Sequence, residues 1–293
     1  MVHTSQTLHD SNHTNWLEHL LRLLRLADKH NLNQPTCQGL ATGLPTLDAM
    51  TGGLPKGEVS VVAHNGSLRP NWLIWNLALN AAKQQHKPVL IWTQRWKPVL
   101  VTSALVGLDC GLAPYDLQHG RLTQTQWEAI ATGLASLEAL PLHLVTEHAK
   151  TAADLACGIK KLAQQWGESA MVVIPDLTDL HRSDPGYGGS ACHHHAQQLL
   201  DAVQDSETCL LLGCTTRASV MRRSGGDFPS YHDVSGWPEI ISDAALILMP
   251  IWSQDWRNSS TEHFAQTVLY GKGRHHGDIY NCRVNDVGLY WED

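Results

Sequence analysis

The sequence predicts an α/β domain: a mainly parallel, doubly wound sheet that ends in an antiparallel hairpin and is preceded by a separate helix. Three observations predict it. From residue 43 onward, short continuous apolar runs alternate with helical patterns, as expected of strands buried on both faces by crossover helices. Over residues 267–291, strand patterns flank the turn His275-His276-Gly277-Asp278, so the chain doubles back there instead of crossing over. Near the start, one amphipathic stretch is cut off from the rest by a polar linker containing a proline.

That first stretch covers residues 15–29. Asn15 and Glu18 have capping-box spacing, and Leu17, Leu20, Leu21, Leu24 and Ala27 fall on one helical face. A lone helix must cover such a stripe, either against its own domain or against a neighbouring subunit. The chain therefore divides into residues 1–39 (polar start, helix and linker) and an α/β domain over 40–293. Strands are expected at Val59–Ala63, Val89–Trp92, Leu142–Val145, Met171–Ile174, Cys209–Leu212, Ala245–Met249 and Thr267–Tyr270. Helices are expected at 71–86, 97–108, 123–137, 151–166 and 193–205.

Composition narrows the function classes. The 293 residues, 43% of them hydrophobic, suit one sizeable domain with a short extension. No apolar run reaches the roughly 20 residues of a membrane-spanning helix, and the polar N-terminus lacks the pattern of a secretory signal, so a cytoplasmic protein is expected. Seven cysteines without CxxC spacing argue for reduced thiols over disulfides or a zinc module. A formal charge of −7 leaves no general excess of Lys and Arg for gripping phosphates. Nucleic acid would have to be held by a local patch, or by a ring of which this chain is one member. Among 18 histidines, a patch such as His193-His194-His195 beside Cys192 could bind metal. It reads as a solvated helix start in preference to a metal site, and no metal ligand is assigned.

The motifs begin with Thr42-Gly43-Leu44-Pro45-Thr46-Leu47-Asp48 and Gly52-Gly53-Leu54-Pro55-Lys56-Gly57-Glu58, glycine-rich turns that feed a central strand. Asn76-Leu77-Ala78 with Ala81-Ala82, Lys87-Pro88-Val89-Leu90-Ile91, Gly120-Arg121-Leu122 with Trp127, and Pro141-Leu142-His143-Leu144 before Thr151 follow in order. Ser235-Gly236 with Asp243-Ala244-Ala245, and then Gly271-Lys272-Gly273-Arg274, complete the series. Each is weak alone. Together, over residues 40–291, they resemble the C-terminal RecA-like motor domain of DnaB-type replicative DNA helicases. The resemblance implies a P-loop NTPase fold, an ATP site, oligomeric rings and a role in DNA replication. It also implies that the helix at 15–29 is the linker helix that docks on an adjacent subunit.

The chain departs from that family where ATP should be held. A phosphate loop reads GxxxxGK[ST]: backbone N–H groups cradle phosphates, Lys neutralises them and the hydroxyl binds Mg²⁺. Here the segment reads His64-Asn65-Gly66-Ser67-Leu68-Arg69-Pro70-Asn71. Counting back from Asn76 puts Arg69 at the second Gly, Pro70 at the Lys and Asn71 at the Ser/Thr. Arg69 brings a side chain where backbone must approach phosphate, Pro70 has neither ammonium nor N–H, and Asn71 offers only a neutral amide. Arg95 occupies the position of the carboxylate that activates water, a role a cation cannot fill. Pro175 occupies that of the Mg²⁺-ordering carboxylate, with Asp176 next, and alternation turns Asp176 to the wrong face unless the strand bulges.

The other side of the subunit keeps more. By the resemblance, Lys272 and Arg274 match residues that reach a neighbour's ATP site; as plain chemistry they are two basic residues on an exposed strand. By the same resemblance, Arg217, Arg222 and Arg223 lie on a loop that faces single-stranded DNA, or else on a solvated loop. The expectation is a catalytically degenerate helicase-like protein, a pseudo-ATPase serving as binding or assembly module, with self or a helicase subunit as partner. No cofactor is then expected. The competing expectation is a divergent ATP-dependent helicase that uses ATP and Mg²⁺ through an atypical site.

Overall fold

β1, Val59–His64, is the axis around which the rest is arranged. Val59, Val61 and Ala63 point into one buried layer and Val62 into the other, which is why the strand is apolar on both faces apart from the buried Ser60. In the computed structural model the described residues are 39–64, 72–93, 96–146, 152–166, 170–177, 190–217, 229–236, 238–252, 262–271, 278–285 and 290–291. The chain divides into two units, Met1–Thr36 and Cys37–Asp293. The expected helix at 15–29 lies outside the described residues.

The remaining strands are β2 (Val89–Trp92), β3 (Leu142–Val145), β4 (Met171–Ile174), β5 (Cys209–Thr216), β6 (Val234–Ser235), β7 (Leu246–Trp252), β8 (Glu262–Gly271), β9 (Asp278–Asn285) and β10 (Tyr290–Trp291). They form one sheet in the order β10-β9-β8-β7-β1-β5-β4-β2-β3, with β6 paired to β5. From β7 across to β3 the main pairings are parallel, while β7 through β10 are antiparallel and β6 is antiparallel to β5. The sheet is therefore the predicted mixed type.

One face carries α1 (Pro45–Thr51), α2 (Trp72–Gln84) and α3 (Pro98–Cys110). α4 (Pro114–His119) and α5 (Gln124–Glu138) follow α3 toward the β3 edge. The other face carries α6 (Ala152–Trp166), α7 (Ser190–Asp205) and α8 (Pro238–Asp243). Nine of the thirteen residues of α2 are buried, and each large apolar side chain among them contributes ~2 kcal/mol by leaving water. The start of the domain is fastened by reciprocal bonds of 2.7 Å between Leu40 and Leu54. A Cβ at Gly39 would sit 2.2 Å from the Leu54 carbonyl oxygen, so only glycine fits that clasp.

Several element bounds differ from the sequence expectation, β7 among them, which runs from Leu246 to Trp252; three of the differences follow directly from strand pairing. β5 runs on past Leu212 to Thr216, because Thr215 and Thr216 pair with β6. β8 starts at Glu262, five residues before Thr267, because its outer half pairs with β9 through Glu262–Gln266. Asp278 is the first residue of β9 and not part of the turn.

Candidate functional site at the carboxyl edge of the sheet

In a doubly wound sheet, ligands sit beyond the carboxyl ends of the parallel strands. That edge is framed here by the end of β1 at His64, Thr93 after β2, Pro175-Asp176 after β4, and Arg217 after β5. β1 and α2 are joined by residues 65–71. Gly66, Ser67, Arg69, Pro70 and Asn71 belong to that segment and lie outside the described residues, as do Arg95, Arg222, Arg223, Lys272 and Arg274. α2 begins at Trp72, so Pro70 and Asn71 stand immediately ahead of its first turn in sequence.

The clearest departure from regular geometry is at Pro175 and Asp176. β4 pairs with β5 in the register Met171↔Cys209 to Ile174↔Leu212. The Cys209 amide donates to the Ala170 carbonyl at 3.0 Å, which fixes which residues of the parallel pair exchange bonds. Continued without a break, the register would give the Gly213 carbonyl to the amide of residue 176. The amide that donates there is Leu177, at 2.7 Å. One extra residue has been taken up between Ile174 and Leu177, so the strand bulges. Leu177 accordingly packs in the layer of Val172 and Ile174, and simple alternation no longer assigns Asp176 to that face.

Gly213 makes the bulge sterically feasible. A Cβ there would lie 1.9 Å from the Pro175 carbonyl oxygen and 2.9 Å from Ile74 of α2. Asp176 itself is 6% exposed. Burial, and then the negative charge of Asp176, push the Cys214 thiol well above its ordinary range.

Two further residues shape the edge and carry no signal in the sequence. Thr93, fully buried, has its amide on the Val145 carbonyl at 3.0 Å and accepts the Trp96 amide on Oγ1 at 3.1 Å. The Trp96 ring meets Trp75 of α2 edge to face, with centroids 6.4 Å apart. Two indoles thus pack beside the first turn of the helix that follows residues 65–71. Asn76, first residue of the Asn76-Leu77-Ala78 motif, is buried and donates from Nδ2 to the Trp72 carbonyl at 2.7 Å.

Arg217 is exposed at the end of β5, and its amide donates to the Asp233 carbonyl at 2.7 Å. His194 is also exposed, with Nε2 3.0 Å from Gln198 Nε2, and among the described residues no three His, Cys, Asp or Glu side chains are grouped as metal ligands. Among the described residues, too, no helix is long and apolar enough to cross a membrane.

Comparison with known proteins places this geometry. The replicative DNA helicase DnaB of Treponema pallidum is 24% identical over 220 residues, covering 74% of this chain and 48% of the relative. That of Haemophilus influenzae is 21% identical over 262 residues, covering 88% of this chain and 55% of the relative. The chain thus spans about half the length of these curated relatives. Among solved structures, a DnaB-like replicative helicase, described with its interactions with primase, superposes with a TM-score of 0.78 at 13% identity, covering 94% of this chain and 66% of that one. A solved ATPase domain gives 0.79 at 11% identity, covering 93% of this chain and 98% of that one. With the family profile described as "DnaB-like helicase C terminal domain" matching residues 39–285, the chain belongs to the DnaB-like helicase C-terminal domain family.

Proposed function

We propose that this chain is a catalytically degenerate relative of the replicative helicase motor, a binding or assembly module in DNA replication that loads, blocks or joins a helicase ring. One observation carries the proposal: the residues ahead of α2, Arg69-Pro70-Asn71, supply no ammonium, no hydroxyl and one backbone N–H fewer where a triphosphate needs all three. Arg95 removes the water-activating carboxylate as well. The donor set at the carboxyl edge therefore does not fit Mg·ATP.

What the chain keeps is suited to association. Val99 on α3, Tyr115 on α4, and Trp127 and Leu134 on α5 are each more than half exposed. Such apolar surface supports a neighbour's helix 15–29 as the occupant, giving self-association or insertion beside an active helicase subunit. In a mixed ring Lys272 and Arg274 would serve the neighbour's ATP site, and Arg217, Arg222 and Arg223 would contact single-stranded DNA through phosphates. Calorimetry with ATP and Mg²⁺ tests the central point: no binding at millimolar nucleotide is expected, and micromolar affinity would overturn it.

A second reading is favoured by Asp176. The bulge keeps a buried carboxylate at the end of β4 although Pro175 holds the aligned position. In this reading the protein is a divergent ATP-dependent helicase, and Asp176→Asn would then abolish a measurable ATPase rate.

A further inference from the structure

Two segments that are far apart in sequence are joined by one buried hydroxyl. Tyr270 sits at the end of β8, one residue before Gly271 and segment 272–277, and is 8% exposed. Its phenol donates to the Pro229 carbonyl at 3.0 Å, 41 residues away in sequence. Pro229 directly follows segment 218–228. Ser230 comes next, donating from both its amide (2.7 Å) and its hydroxyl (3.1 Å) to the Asp233 carboxylate. Asp233 is 5% exposed, and its carbonyl accepts the Arg217 amide from the other end of the same segment at 2.7 Å. Thr216↔Val234 and Thr215↔Ser235 pairing closes the base below it. The Tyr231 ring meets Tyr270 edge-on with centroids 5.9 Å apart, so the contact has a packed as well as a polar part.

We propose that Tyr270 is a positioning residue: its hydroxyl ties the end of β8 to the Ser230–Asp233 cap, so that these two described elements loosen together. The bond crosses between a regular sheet strand and an irregular turn, and so links two elements that would otherwise loosen separately. Burial and the nearby Asp233 charge raise the phenol above its ordinary range, so it stays protonated and able to donate at neutral pH. This coupling stands whether or not the chain hydrolyses ATP.

Hydrogen exchange of the full-length protein, followed peptide by peptide, tests it. Tyr270→Phe, which keeps the ring and removes one oxygen, is expected to speed exchange about 3- to 10-fold in both 229–235 and 267–271 while leaving β1 at its wild-type rate. Tyr280→Phe, the same deletion from a buried tyrosine of β9, is expected to leave 229–235 unchanged. Combined with Asp233→Asn, Tyr270→Phe should add nothing further in 229–235, because the two side chains act in one unit. If Asp233→Asn does not fold, Ser230→Ala takes its place in the pair. Faster exchange in only one of the two peptides, or in neither, overturns the proposal. So does an equal response to Tyr280→Phe, which marks a general loss of stability, or an additive double variant.

Discussion

α2 and α5 lie in the same domain and are held in place by different physics. In α2, nine residues are buried, and the buried Asn76 is tied back to the helix's own first residue. In α5 none of the fifteen residues is buried. That helix starts on a reciprocal cap in which Thr123 Oγ1 accepts the Gln126 amide at 3.3 Å and Gln126 Oε1 accepts the Thr123 amide at 2.8 Å. A pair four residues apart, Gln124 and Glu128, continues it at 3.1 Å. Trp127 and Leu134, seven residues apart and so on one side of the helix, are 53% and 55% exposed. The centre of the sheet uses its apolar residues for folding; the outer edge leaves some of them in contact with solvent.

The largest effect expected from this contrast is at the centre. Leu77→Ala, at a fully buried position of α2, should lower unfolding free energy by about 3 kcal/mol in urea titration. Gly213→Ala should cost about 2 kcal/mol, because the added methyl meets the Pro175 carbonyl in the bulge and the backbone must move. Thr123→Ala should cost about 1 kcal/mol, the loss of a helix cap. Leu134→Ser should change stability by less than about 0.5 kcal/mol and yet reduce self-association in sedimentation. A large loss of stability there would break the contrast between the two helices.

The cysteines sharpen it without a mutation. Cys157 on α6 is exposed and Cys209 of β5 buried, so a thiol reagent should label Cys157 in the native protein and Cys209 only after unfolding. Burial pushes the Cys209 thiol from an ordinary 9.0 up to about 12. Its folded value is raised, so the stability that a neutral thiol contributes is whole below pH 9.0 and is lost as pH climbs toward about 12. Unfolding midpoints in alkaline buffers check this.

Much of the fold is legible in the sequence where burial is two-sided. Val89–Trp92 and Met171–Ile174, buried at every position, have the bounds their apolar runs predict, because such a run ends where the sheet does; Leu142–Val145, a partly buried edge strand, has its expected bounds as well. α1, α4 and α8 escape a sequence reading: seven or six residues are too few to show a helical period among prolines and glycines. For the candidate site the sequence offers residue types alone, since residues 65–71 and Arg95 lie outside the described residues. The bulge at Pro175 is not legible, because which amide reaches the Gly213 carbonyl is a matter of register and leaves no trace in residue type. Nor is the Tyr270–Pro229 bond, which joins positions that no local pattern relates.

The clasp at the start of the domain has a mechanical consequence. Beyond the two Leu40–Leu54 bonds, the Gln85 side chain holds the Ala41 backbone from both sides, accepting its amide at 3.1 Å and donating to its carbonyl at 2.6 Å. Gln85 directly follows the last residue of α2. Tension arriving along the chain ahead of residue 40 is thus delivered to one end of a rigid rod whose other end continues into residues 65–71.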